Sequence, residues 1–207
     1  MDAADWNARY DTDELVWSAE PNRFLPPEVE GLPVGRALDL ACGEGRNAVW
    51  LATQGWSVTG VDFSDVGLAK AARLAADNDV IGVWIEADVT AWRPPTEGFD
   101  LVIVFYLQLP AEHRRAAIRT AISSLAVDGV FLLVAHDLLN LSEGYGGPQS
   151  PAVLTTAEDV LDDITAAELE LGVELVTERA ERVDRPVTTP DGDRNAIDTL
   201  VRVRRIA

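Results

Sequence analysis

Residues 36–48 constrain this chain more than any other stretch. An apolar run that carries one acid, Asp39, opens into a turn holding Gly43 and Gly45, and helix-forming residues follow. A short apolar run bounded by glycines reads as a buried strand. Glycines at the join let the backbone turn sharply and let a ligand lie against it, and the helix start beyond offers unpaired N–H groups. Gly43, Gly45 and Ala48 fit the G-x-G-x-x-A spacing, and Asp62 stands 19 residues after Gly43, at the end of the next apolar run. An acid at that place accepts hydrogen bonds from ribose hydroxyls. The turn therefore calls for an adenosine-containing ligand and leaves its class open.

The rest of the chain alternates in the same way. Residues 57–61, 82–86 and 99–105 read as strands, as does 129–135, whose nearly continuous apolar run implies cover on both faces. Between them lie helical patterns: Ser64 as N-cap with Leu68, Ala71, Ala72 and Ala75 on one face, and Ile118, Ala121, Ile122 and Leu125 after Pro110. Thr155 or Thr156 caps a further helix with Ala157, Val160, Leu161 and Ile164 on one side. Extended stretches at 173–187 and 195–206 flank Pro190 and Gly192 as a hairpin would. Five strand–helix alternations plus a hairpin predict an α/β fold. It is a doubly wound, Rossmann-like, mostly parallel seven-stranded sheet with a C-terminal antiparallel hairpin. That domain is expected over 36–207, behind an N-terminal lid or cap segment, 1–35, which Pro26, Pro27 and Pro33 keep from being one long helix.

Composition narrows the partners. The 207 residues, 47% hydrophobic and 25% charged, suit one packed domain with a short extension. Thirty-five acids against 17 bases give a net charge of −18, which repels phosphate backbones and anionic lipid, so neither nucleic acid nor membrane is an expected partner. One cysteine, Cys42, and two histidines, His113 and His136, argue against a disulfide framework and against a metal site. The acidic start is unlike a signal peptide, and no apolar run approaches a membrane span. A cytoplasmic monomer or homodimer is expected.

Two acids divide the ligand classes. Asp39 inside an apolar strand is costly without a partner; a cofactor with a cationic amine and a sulfonium supplies one, whereas a pyrophosphate is repelled. Asp88, just past the third strand, is placed to accept from an adenine amine. These residues together resemble the class I S-adenosylmethionine-dependent methyltransferases. Residues 38–45 resemble that family's first motif, 60–64 its ribose-binding acid, 87–89 its adenine motif and 99–102 its fourth strand. Residues 17–22 and 45–51 are similar to the small bacterial branch related to tellurite-resistance and thiopurine methyltransferases.

The resemblance implies a set of roles. Asp39, Ala41, Gly43 and Gly45 border the methionine part of S-adenosyl-L-methionine, with Ala41 in place of the family's usual first glycine, and Asn47 is a further expected cofactor residue. Asp62 holds the ribose, Phe63 lies on the adenine, Asp88 takes the adenine amine and the Val89 N–H a ring nitrogen. Trp17 on the cofactor and Tyr10 toward the acceptor are expected to close as a lid.

Methyl transfer from a sulfonium is an in-line displacement, so positioning and exclusion of water dominate, and a base is needed only for a protonated nucleophile. The acceptor belongs beyond the ends of strands four and five, where Tyr106 and Asp137 are candidate contacts and His136 the candidate catalytic base. Arg182 and Arg185 read either as grips for an anionic acceptor or as surface ion pairs with Glu181 and Asp184. The expected function is methylation of O, N, S or an oxyanion on a small molecule. The alternatives are an NAD(P)-dependent oxidoreductase and a non-catalytic S-adenosylmethionine-binding protein.

Overall fold

The computed structural model describes residues 2–94 and 98–207. Seven strands form one sheet: β1 (Arg36–Leu40), β2 (Ser57–Asp62), β3 (Gly82–Glu86), β4 (Phe99–Phe105), β5 (Leu125–His136), β6 (Leu175–Thr189) and β7 (Gly192–Arg205), in the order β3-β2-β1-β4-β5-β7-β6. The first five are parallel, and β7 pairs antiparallel with both β5 and β6. The expected sheet and its terminal hairpin are both present. The helices are α1 (Ala3–Tyr10), α2 (Leu25–Val29), α3 (Arg46–Thr53), α4 (Asp65–Asp77), α5 (Ala111–Ser123), α6 (Asn140–Glu143) and α7 (Ala157–Leu171).

Alternate residues of the strands feed two cores, as a period of two requires. On one face Leu38, Leu40, Val102, Val104 and Phe131 pack with Ile118 and Ile122 of α5 and Val160 and Ile164 of α7. On the other, Ala37, Leu101, Ile103 and Leu132 pack with Ala48 and Leu51 of α3 and Leu25 of α2. Helix starts follow their chemistry. The Ser64 hydroxyl accepts from Gly67 N at 3.0 Å, and Thr156, not Thr155, forms a capping box with Asp159.

Three expectations need correction. Among the described residues no helix follows β3, so the helix-linked alternations are fewer than five. Leu125 does not extend α5. The helix ends at Ser123, and Leu125 opens β5 opposite Phe99, with a register shift before Leu101 and left-handed backbone at Asp128 (φ 68°). Within α4, Ala72 is exposed while Leu68, Ala71 and Ala75 are buried.

Register places the chemistry. Asp39 pairs with Ile103 and Leu40 with Val104, so the residues after β1 and after β4 lie side by side. His136 pairs with Asp198, and the Tyr106 N–H donates to Val134 O at 2.7 Å. Residues 39–45, Tyr106, His136 and Asp198 thus share the carboxyl-end edge of the parallel strands, where open α/β sheets bind ligands.

Candidate active site

The turn after β1 is built from left-handed residues: Ala41 (φ 61°), Gly43 (φ 53°) and Gly45 (φ 79°). Glycine adopts this region freely, while at Ala41 it costs about 1–2 kcal/mol. Ala41 N and Cys42 N both donate to Val61 O, which fixes the turn to β2. Asp62 completes the bracing, its carboxylate accepting from Gly43 N at 2.8 Å and from Ser64 N at 2.9 Å. Burial pushes its pKa up, opposed by those amides. Gly45 backs onto α4, where a Cβ would stand 2.6 Å from Ala71 Cβ.

Asp39 projects into this turn and is 3% exposed, and its Oδ2 has no hydrogen-bond partner. Burial, then the charge of Asp62, pushes its pKa up to about 8, against a backbone hydrogen bond from Ala48 and the charge of Arg46. An orphaned buried carboxylate oxygen asks for a cationic partner. The amine and sulfonium of S-adenosylmethionine fit that demand, and a pyrophosphate does not.

The remaining expected cofactor residues cluster nearby. Ala87 N donates to Asp62 O at 2.9 Å, which brings the 87–89 turn beside the ribose acid. Asp88 is exposed and its Oδ1 accepts from Thr90 N and Oγ1, Val89 is buried, and Phe63 is half-buried. Asn47 has a different duty, because its Oδ1 accepts from Asn22 N at 2.8 Å and ties the N-terminal segment to α3.

That segment closes over the turn. Asn7 of α1 donates to Asp65 Oδ1 (2.7 Å) and accepts from Ser64 Oγ (2.6 Å), so α1 sits on the start of α4. Tyr10, expected as an acceptor contact, is buried over Gly43, where a Cβ would stand 2.6 Å from its hydroxyl, so it lies against the glycine turn. Burial and the charge of Asp62 raise its pKa, keeping the phenol neutral. The Trp17 side chain is 42% exposed and stacks under Arg9, whose guanidinium lies 5.1 Å from the ring centroid.

What fastens the strap is Glu44, between the two glycines, which sequence reasoning passed over. Its buried carboxylate accepts from Val16 N (3.0 Å) and Trp17 N (3.1 Å), and Lys70 Nζ lies 3.0 Å away. Lys70 also donates to Thr12 Oγ1 and Glu14 O.

A second cluster lies at the ends of β4 and β5. Tyr106, in left-handed backbone (φ 56°), donates its hydroxyl to Asp198 Oδ2 at 2.7 Å, and its ring lies 4.8 Å from that of His136. His136 Nδ1 is 3.1 Å from Asp198 Oδ1, and Arg185 Nε donates to Asp198 Oδ2 at 2.7 Å. Asp198 is fully buried, and despite that desolvation its pKa is held down by His136, Arg185 and Tyr106. Arg46, whose own pKa is lowered by burial against the charges of Tyr106 and Asp39, joins the two clusters.

Asp137 does not join this group. It is fully buried, and its carboxylate accepts from Leu139 N, Thr199 Oγ1 and Arg182 Nε, so the expected substrate contact is a structural one. Arg182 and Arg185 therefore pair with buried acids of the sheet and not with Glu181 and Asp184. Among the described residues no cluster of histidine, cysteine and acid could hold a metal. Burial, then Asp39, pushes the Cys42 thiol up, away from nucleophile chemistry.

Comparison with known proteins agrees with this geometry. Residues 37–129 match the family described as "Methyltransferase domain". The chain is 32% identical over 138 residues to thiocyanate methyltransferase 1 of Arabidopsis thaliana, covering 65% of this chain and 59% of that protein. The chain thus spans about three fifths of the curated relative's length. Among solved structures, the N-methyltransferase NodS from Bradyrhizobium japonicum, in complex with S-adenosyl-l-homocysteine, superposes with a TM-score of 0.70 at 18% identity, over 99% of this chain and 98% of that one. A structure from work on conversion of a disulfide bond into a thioacetal group during echinomycin biosynthesis gives 0.74 at 22%, over 98% and 92%. Both show a shared fold.

Proposed function

From the premise that this chain carries a class I S-adenosylmethionine-dependent methyltransferase domain, we propose that it methylates a small nucleophile, with sulfur the first choice of atom, held beside Tyr106 and His136. The observation that carries the reading is the partnerless Oδ2 of Asp39, buried next to a glycine turn on β1, the strand that pairs with β4, after which Tyr106 follows. The sulfur preference rests on the thiocyanate methyltransferase relative.

The bound cofactor supplies an electrophilic methyl group on a cationic sulfur. Asp39 and the turn at Ala41, Gly43 and Gly45 would hold its amino-acid end, Asp62 its ribose, and Phe63, Asp88 and Val89 its adenine. Residues 1–35 act as a lid in this reading, with Tyr10 and Trp17 excluding water and Glu44 and Lys70 fastening the strap. Tyr106 and His136 line the acceptor's side, and His136 receives a proton when the nucleophile carries one. A net charge of −18 disfavours nucleic acid and anionic lipid, and no helix among the described residues is long and apolar enough to cross a membrane. A pyrophosphate cofactor would meet the Asp39 carboxylate, which weighs against an oxidoreductase.

The test is His136→Gln assayed at neutral pH. Loss of a general base lowers turnover by about 10²–10⁴-fold while the affinity for S-adenosylmethionine measured by calorimetry stays as in the parent. A fall in both would make His136 structural, and tight binding of NADH would reverse the cofactor reading.

A further inference from the structure

The cluster around Asp198 has a proton pattern that bears on the acceptor. Three groups from three different elements converge on one fully buried carboxylate: Tyr106 at the end of β4, His136 at the end of β5 and Arg185 of β6. Resting on the methyltransferase reading, we propose that Asp198 is a positioning residue that fixes His136 as the base, and that the acceptor suited to this cluster is a small thiol entering in its S–H form.

The steps follow from hydrogen-bond chemistry. A carboxylate only accepts, so Nδ1 of the neutral imidazole carries the proton and Nε2 keeps a free lone pair. The Tyr106 hydroxyl directs its own proton to Asp198 and has none left to give. Gly147 lies against the ring, where a Cβ would be 3.2 Å from His136 Nδ1, so the imidazole is held from the loop side as well. The cluster is therefore arranged to receive a proton at His136 Nε2. A preformed anion without a proton, such as thiocyanate, makes no use of this arrangement.

Among protonated nucleophiles the thiol fits best. A thiol is more acidic than an ammonium or an alcohol, so of these it gives up its proton to a neutral base most readily. The charged groups around Tyr106 and His136 are Asp198, Arg185, which lies over the Tyr106 ring at 5.5 Å and is paired with Asp198, and, on the Tyr106 side, Arg46, which also feels Asp39 and Glu44. In the transfer, the acceptor sulfur bonds to the methyl carbon as the carbon–sulfonium bond breaks, that electron pair staying on the departing sulfur. The S–H proton passes to His136 Nε2, and the imidazolium so formed is paired with Asp198.

Two experiments test this. Nitrogen NMR of the wild-type protein, with His113→Gln to assign the two imidazoles, should show His136 in the Nδ1–H form; an Nε2–H form overturns the proposal. In the second, 2-mercaptoethanol, 2,2,2-trifluoroethanethiol and potassium thiocyanate are offered with S-adenosylmethionine at one mildly alkaline pH. There the first is mostly protonated, the second mostly ionised, and the third carries no proton. Asp198→Asn should lower kcat on 2-mercaptoethanol at least tenfold more than on trifluoroethanethiol, and Tyr106→Phe, which leaves the carboxylate in place, should change that ratio little. Equal losses on both thiols overturn the role of Asp198. Turnover of thiocyanate alone overturns the thiol and leaves the methyltransferase reading standing, while turnover of none by protein that binds the cofactor overturns sulfur as the acceptor atom.

Discussion

Lys70 Nζ lies 3.0 Å from Glu44 Oε1, with the lysine side chain 13% exposed and the glutamate 3%. The only lysine of the chain is thereby joined to the one acid inside the glycine turn, and the two together hold the Thr12 hydroxyl and the backbone at Glu14, Val16 and Trp17. The glycine turn and the N-terminal segment are thus joined through one residue.

Lys70→Met should consequently loosen the lid. It leaves a buried carboxylate without its cation, a loss of about 3 kcal/mol when a buried pair is broken from one side. Limited proteolysis should cut within 11–21 far faster than in the parent, and stopped-flow tryptophan fluorescence should show quicker release of S-adenosylhomocysteine. Unchanged cleavage and release would mean that the strap is held elsewhere.

Gly43→Ala places a Cβ 2.6 Å from the Tyr10 hydroxyl in left-handed backbone. The expected cost is about 1–2 kcal/mol of backbone strain plus displacement of Tyr10. Adding Tyr10→Phe removes the nearest clashing atom and should recover part of the lost melting temperature. Strict additivity of the two changes would contradict the contact.

Asp39 sets a pH dependence with a definite sign. Its folded pKa of about 8 stands above the ordinary 3.8, so its contribution to stability is fully present below 3.8 and is lost as pH rises toward 8. A cationic cofactor needs the ionised form, so binding below pH 8 expels a proton and weakens as pH falls. Calorimetry in buffers of different ionisation enthalpy should detect that proton. Asp39→Asn should melt higher than the parent at neutral pH, bind S-adenosylmethionine more weakly and lose the pH dependence; equal affinity would remove Asp39 from the cofactor site.

Asp62→Ala unties the turn and tests the proposed ribose contact at the same time. Gly43 N and Ser64 N lose their acceptor, about 1–3 kcal/mol for unsatisfied buried groups, and cofactor affinity should fall with stability. Thermal melting beside titration checks both, and an unaltered affinity would refute the ribose role.

How much of this was legible in the sequence depends on the range of each contact. The buried strands read directly, because 99–105 and 129–135 are apolar almost without a break, and Asp62 was found by its spacing from Gly43. Local cap chemistry located Ser64 and Thr156. Asp198 was not legible. An acid in the second strand of a terminal hairpin carries no local sign of burial; Asp198 is buried because Tyr106, His136 and Arg185 converge on its carboxylate. Its partners Tyr106 and His136 stand 92 and 62 residues away. Glu44 and Lys70 escaped for the same reason, since they meet only when α4 packs on the turn. Asp137 looked like a site residue from its place after β5, and only its burial and saturated hydrogen bonds show otherwise.

The most direct test of the central claim is calorimetric titration of the folded protein with S-adenosylmethionine and S-adenosylhomocysteine. The expected result is micromolar binding of both, with proton release below pH 8. Binding of neither by protein shown to be folded would contradict the cofactor site built on Asp39 and Asp62, and with it the proposed methyl transfer.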